Sequence, residues 1–163
     1  MAEPVRLLVV CLGNICRSPM AEGILRARIG ASPLRGRALV DSAGTGDWHV
    51  GRPPDPRAIA TAARHGVDIA GLRARQFRRA DADQFDWLLC ADRDNLVDVR
   101  ARLQPETHPR AALLLEWSGV GPSMDVPDPY FGDQDGFEHS WRLLEQAADG
   151  VVARLLSAPG GRG

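Results

Sequence analysis

Lysine is missing altogether: all twenty basic residues among the 163 are arginine. With arginine that common, no single arginine marks a site by itself. Net charge is also scarce. Twenty basic against twenty-one acidic residues leave −1, so no long-range field argues for nucleic acid or an anionic membrane as a partner. No apolar run approaches the roughly eighteen residues of a membrane span, and the start lacks a charged segment followed by an apolar one. A cytoplasmic protein is therefore expected, with export by a route that needs no signal peptide left open. Three cysteines, an odd number, cannot build the disulfide framework of a small secreted domain, so reduced thiols are the expectation. The four histidines, His49, His65, His108 and His139, show no zinc-type spacing, and no metal is expected.

What the chain does have is an alternation of apolar runs and helical patterns. Its length and its 44% hydrophobic content fit one domain, residues 1–157, followed by a flexible tail over 158–163. Val5–Val10 reads as a strand buried on both faces. Ser18 reads as the cap of a helix with Pro19 as its first residue, ending at Gly30. Further strands are expected at Ala38–Asp41, Trp87–Ala91 and Ala111–Leu115. Further helices are expected from Pro56 to His65, from about Asp92 to Leu103, and from about Gly136 to Leu156. Strands alternating with helices imply an α/β fold, a four-stranded parallel sheet with helices on both faces. Ligands of such folds bind beyond the carboxyl ends of the strands, where Cys11 falls. The long loops, residues 43–54 and 116–135, are rich in Gly, Pro and Asp.

The stretch "CLGNICRS" (Cys11–Ser18) carries the chemistry. Backbone N–H groups curling ahead of a helix N-terminus form a nest for an anion, helped by the helix dipole. Gly13 and Asn14 tolerate the positive φ that such a curl needs. Arg17 adds a planar fork matched to two phosphate oxygens. A dianionic tetrahedral group fits this cradle, with Cys11 beneath it as a nucleophile and Ser18 able to donate a hydrogen bond to the sulfur. A cysteine and an arginine six apart would be weak evidence alone. Strand end, Gly-Asn, and Arg-Ser-Pro entering a helix satisfy nest, charge and cap together.

These residues resemble the low-molecular-weight protein tyrosine phosphatases, whose opening signature is matched by "VCLGNICRSP". The blocks "DSAGTGDWHVGRPPDPRAIATAARHGVD" (Asp41–Asp68), "RARQF" (Arg73–Phe77) and "VPDPYFGD" (Val126–Asp133) extend the likeness over nearly the whole chain. The resemblance implies a flavodoxin-like sheet of order 2-1-3-4 and a cofactor-free enzyme acting on phosphotyrosine proteins, with a monomer as the default form. It implies Cys11 as nucleophile, Arg17 on the phosphoryl oxygens and Asp128 as general acid, within a phosphate-binding loop of Leu12, Gly13, Asn14, Ile15, Cys16, Arg17 and Ser18. Asn14, Ser18, Ser42 and His65 would brace that loop, and Trp48, Tyr130 and Phe131 would form the aromatic cleft. Two of these keep a second reading: His65 also suits the end of a helix, and Trp48 could cap the core instead of lining a pocket. The family pattern also implies that peroxide drives a Cys11–Cys16 disulfide, whereas Cys90 reads as an inert core thiol.

Asp128 is needed because a phenolate leaving group has a conjugate acid of pKa about 10, so a poised carboxylic acid assists its expulsion. Pro127 and Pro129 restrict the backbone on either side of it. Competing readings share the loop. Arsenate reductases of the thioredoxin-coupled type need a downstream cysteine pair, and only Cys90 is present. Protein-arginine phosphatases tend to carry threonine where this chain has Ile15, whose side chain would crowd a guanidinium. A non-catalytic phospho-binding module would have no need of Asp128.

Overall fold

A computed structural model describes residues 3–121 and 125–157. The expected tail, 158–163, lies outside the described residues. In chain order the elements are β1 (Val5–Cys11), α1 (Arg17–Gly30), β2 (Ala38–Gly44), α2 (Pro56–Arg64), α3 (Asp81–Gln84), β3 (Trp87–Cys90), α4 (Arg93–Ala101), β4 (Ala111–Leu113), α5 (Leu114–Trp117) and α6 (Gln134–Ser157), with a 3-10 turn over Pro105–Arg110.

The four strands form one sheet of order β2-β1-β3-β4, parallel throughout. β1 lies inside it, and every residue of β1 except Arg6 is buried, as an uninterrupted apolar run requires. Its side chains divide between two cores. Leu7, Val9 and Cys11 join Met20, Ile24, Phe137 and Trp141 on the side of α1 and α6. Leu8 and Val10 join Phe77, Val99 and Leu103 on the side of α4. Cys11 therefore ends the strand with its backbone in the sheet and its side chain toward the first turn of α1.

Several boundaries differ from the sequence expectation, each for a local reason. β2 runs three residues past Asp41, because pairing with β1 continues in register from Val5↔Ala38 to Cys11↔Gly44. The strand expected over Ala111–Leu115 stops at Leu113, and Leu114 and Leu115 turn into α5. A short buried apolar run fits strand and helix equally well. Ser18 is not the cap of α1: Cys16 holds that position, without a side-chain cap. The Ser18 hydroxyl is instead engaged with Cys11 and Asn14. Pro19 consequently falls at the third helical position, where its missing N–H still has no intrahelical carbonyl to lose. Asp55 caps α2 by accepting from the Arg57 N–H, and Asp92 caps α4 by accepting from the Asn95 N–H. α3 was not anticipated; it has no side-chain cap, and its first residue, Asp81, accepts from the N–H of Arg78 ahead of the helix.

α6 crosses very close to the residue that follows α5: a Cβ on Gly150 would stand 2.0 Å from the Ser118 carbonyl oxygen. Among the described residues, no helix is long and apolar enough to cross a membrane, and no group of three or more His, Cys, Asp or Glu could hold a metal ion.

Candidate active site

Parallel pairing brings the carboxyl ends of β1, β2 and β3 to one edge, and three segments meet there. The first is the loop from Cys11 to Arg17. Asn14 turns it with φ 57°, the one positive φ among the described non-glycine residues. Gly13 has no positive φ, and a Cβ there would lie 3.0 Å from His49 Cδ2. The loop rests directly on the end of β2: a Cβ on Gly44 would lie 2.8 Å from the Leu12 carbonyl oxygen and 3.0 Å from the Asn14 nitrogen.

The Cys11 sulfur sits inside this curl. The Asn14 N–H donates to it at 3.3 Å, and the Ser18 hydroxyl oxygen is 3.0 Å away. Both are groups that stabilise a sulfur anion. Behind the sulfur, the Asn14 side-chain amide donates to Ser18 Oγ at 2.7 Å and to Ser42 Oγ at 3.0 Å, while its oxygen accepts from the Arg75 N–H at 3.0 Å. Ser42 in turn donates to the Glu22 carboxylate at 2.6 Å. Glu22 is buried, and that burial raises its pKa above the ordinary carboxylate value against the opposing pull of Ser42 and Arg26.

Arg17 is 2% exposed and fixed from two directions. One terminal nitrogen donates to Asp92 Oδ2 at 2.6 Å and to the Val126 carbonyl at 2.9 Å. The other lies 3.5 Å from Asp128 Oδ2. Burial disfavours its charge, but Cys11, Asp92 and Asp128 outweigh burial and hold the guanidinium more firmly protonated than usual.

The segment bearing Asp128 is hooked onto the sheet edge by the Val126 N–H, which donates to the Ala91 carbonyl at 2.8 Å. The Asp128 carboxylate accepts from the Tyr130 N–H at 3.1 Å. Together these segments enclose a cleft of about 230 Å³ with Cys11, Ile15 and Arg17 toward its base and Trp48, His49, Asp128, Tyr130 and Phe131 along its walls. Tyr130 and Phe131 meet edge to face with centroids 4.9 Å apart, and Phe131 is 95% exposed. Trp48 lines the cleft, is 65% exposed and lies across Gly46.

His65 does not reach the loop. It caps the end of α2, places Nε2 2.9 Å from the Glu138 carboxylate and stacks on Trp141 with centroids 5.0 Å apart. The bonds to Asn14 come from Ser18, Ser42 and the Arg75 backbone instead. Cys16 is buried beside Cys11, and burial, followed by Asp55, pushes its thiol well up. Cys90 lies in the second core, its thiol pushed up to about 12 by burial.

Sequence reasoning missed Asp92, Arg75, Glu22, His49 and the pair Asp55 and Arg57. Asp92 was open to detection, because it directly follows β3 at the edge where Cys11 ends β1. The Arg75 contact is made by its backbone, which no residue pattern announces.

A family model described as low molecular weight phosphotyrosine protein phosphatase matches residues 6–158. The chain is 40% identical over 161 residues to a low molecular weight protein-tyrosine-phosphatase of Streptomyces coelicolor, covering 96% of this chain and 97% of that one. The crystal structure of YfkJ from Bacillus subtilis superposes with a TM-score of 0.89 at 34% identity, covering 95% of this chain and 96% of that one. Wzb of Vibrio vulnificus, solved in complex with benzylphosphonate, superposes with a TM-score of 0.81 at 30% identity, covering 93% and 99%.

Proposed function

The chain belongs to the low molecular weight phosphotyrosine protein phosphatase family, a family of hydrolases, and from that premise we propose that it hydrolyses phosphotyrosine in proteins through a cysteinyl-phosphate. The observation that carries this reading is the Cys11 sulfur held by the Asn14 N–H and the Ser18 hydroxyl, with Arg17 and Asp128 at the same cleft.

The phosphoryl dianion seats in the loop, its oxygens taken by backbone N–H groups and by the Arg17 fork. The Cys11 thiolate attacks phosphorus, forming the S–P bond as the P–O bond to the aryl group breaks. Protonated Asp128 gives its proton to the departing phenolate oxygen. The resulting Asp128 carboxylate then takes a proton from water, whose oxygen attacks phosphorus and expels the Cys11 thiolate, leaving inorganic phosphate. Ser18 stabilises that thiolate each time it is released. Before substrate arrives, Asp128 lies within 3.5 Å of the Arg17 guanidinium, so the incoming phosphoryl group replaces one anion with another and leaves the acid at its rim.

The aromatic rings at the mouth favour a phenyl ring over an alkyl chain. A serine phosphate is too short to bring its phosphorus to Cys11 between them. The benzylphosphonate bound by the Vibrio vulnificus protein joins an aromatic ring to a tetrahedral phosphorus, which is the same chemistry. Ile15 is buried at the cleft and disfavours phosphoarginine. Phosphate release from matched phosphotyrosine, phosphoarginine and phosphoserine peptides tests the reading. Turnover confined to phosphotyrosine, abolished by Cys11→Ser and strongly slowed by Asp128→Asn, is expected. Preference for phosphoarginine would overturn the role given to Ile15. Binding without turnover would favour a recognition module.

A further inference from the structure

The segment carrying Asp128 is held at two places of different kind. Its root is fixed to the protein body, with the Val126 N–H on the Ala91 carbonyl and the Ser140 hydroxyl donating to the Pro127 carbonyl at 2.9 Å. Its tip, which carries Tyr130 and the exposed Phe131, meets one guanidinium. Arg57 donates to the Tyr130 carbonyl at 2.9 Å and to the Gly132 carbonyl at 3.3 Å. The same fork donates to both oxygens of Asp55, at 3.0 and 2.9 Å. Its Cζ lies 4.7 Å from the centroid of the Phe137 ring and 5.6 Å from that of Tyr130.

Asp55 ties this fork to the opposite side of the cleft. Its N–H donates to the Ile15 carbonyl at 2.8 Å, inside the phosphate-binding loop, and its carboxylate caps α2. Arg57 thus spans from the loop that takes the phosphoryl group to the tip of the segment that carries the acid, through one rigid planar group with several donors in use. A partly exposed Arg–Asp pair alone would contribute little. Two main-chain carbonyls added to that pair make a clamp.

We propose that Arg57, oriented by Asp55, is a positioning residue for the general acid: it sets where Asp128 and the Tyr130 ring stand over a phosphoryl group seated on Cys11. The proposal rests on the reading of Asp128 given above. If Arg57 acts through Asp128, its removal matters most where the leaving group most needs a proton.

The test compares kcat/KM for a phosphotyrosine peptide with kcat/KM for a nitrophenyl phosphate, whose leaving group is far more acidic. The proteins are wild type, Arg57→Met, Asp128→Asn and the double variant. Arg57→Met keeps the aliphatic stem over Phe137. The ratio between two substrates does not depend on the fraction of molecules folded, so a partly unfolded variant still gives a reading. A small misplacement of a catalytic group can cost about 100-fold, and a loss of about 10-fold or more is expected on the phosphotyrosine peptide, with less than about 3-fold on the nitrophenyl ester. In the Asp128→Asn background the added change is expected to cost less than about 3-fold on either substrate. Equal losses on both substrates, or a full loss persisting without Asp128, would overturn the positioning role. Asp128→Asn slowing both substrates equally would instead overturn the general-acid reading, and the positioning role with it.

Discussion

Replacing Gly44 with alanine puts a methyl group against the back of the phosphate-binding loop. The built Cβ stands 2.8 Å from the Leu12 carbonyl oxygen, 3.0 Å from the Gly13 carbonyl carbon and 3.0 Å from the Asn14 nitrogen. All three are backbone atoms, so no flexible side chain can swing aside. Contacts between carbon atoms become comfortable at about 3.5 Å, so the loop has to retreat by roughly half an ångström. The Asn14 N–H is the group that donates to the Cys11 sulfur. A misplacement of about 1 Å costs on the order of 100-fold in rate, so about half that displacement is expected to cost about 10-fold in kcat/KM. The control is Gly150→Ala, whose Cβ would meet the Ser118 carbonyl at 2.0 Å, between α6 and the end of α5. Overpacking there is expected to cost about 1–3 kcal/mol of stability, or about 2–4 °C of Tm per kcal/mol. Activity per folded molecule is expected to stay at the wild-type level. Steady-state kinetics with thermal unfolding on both variants separates the two effects. If Gly44→Ala kept wild-type kcat/KM, or if Gly150→Ala lost as much as Gly44→Ala, the close contact between β2 and the loop would not matter to catalysis.

Asp92→Asn keeps a good cap for α4 but removes the charge paired with buried Arg17; it is expected to weaken inorganic phosphate binding and lower kcat/KM by at least about 10-fold, as measured by phosphate competition and steady-state rates. Glu22 has its folded pKa raised above the ordinary 4.5, so its contribution to stability is fully present below about 4.5 and is lost as pH rises through the elevated value. Glu22→Gln is therefore expected to be relatively more stable at neutral than at acidic pH, and urea unfolding giving a pH-independent difference from wild type would contradict this. Alkylation of the native protein at neutral pH is expected to label Cys11, whose sulfur faces the cleft between the Asn14 N–H and the Ser18 hydroxyl, with protection by phosphate, and to leave Cys16 and Cys90, whose thiols burial pushes up, unmodified; peptide mass mapping reads this directly. Under peroxide, oxidation of Cys11 to the sulfenic acid followed by condensation with the Cys16 thiol, with loss of water, is expected to protect activity. Cys16→Ser is then expected to lose activity irreversibly faster than wild type, and equal rates would dismiss the protective role.

The parts legible in the sequence were those written locally. An apolar run ending in Cys11, a Gly-Asn turn and Arg-Ser-Pro entering a helix are neighbours in the chain, and the physics of an anion nest can be read from neighbours alone. The sheet order came from resemblance, since strand and helix patterns do not specify which strands pair. The polar surroundings of the site were less visible. Asn14 is bracketed by Ser42 and by the Arg75 backbone, 28 and 61 residues away. Arg57 follows Asp55 and Pro56 in the first turn of α2, and nothing in its local sequence marks the carbonyls of Tyr130 and Gly132 as its partners. His65 stood at a plausible point in the chain, yet the end of α2 faces α6, so Glu138 and Trp141 took it. Ser18 had the right chemistry for a cap, and the nearby sulfur claimed it.

The partners of Arg17 set when this site can exist during folding. Its guanidinium is satisfied by Asp92, 75 residues later, and by the Val126 carbonyl, 109 residues later. A growing or truncated chain can carry the entire Cys11–Ser18 stretch and still lack the groups that make burial of that charge tolerable. Closing such distant contacts is slow compared with forming a helix. Enzymatic activity during refolding is therefore expected to appear after helical signal has recovered, which makes turnover a clock for the last long-range step of the chain's assembly.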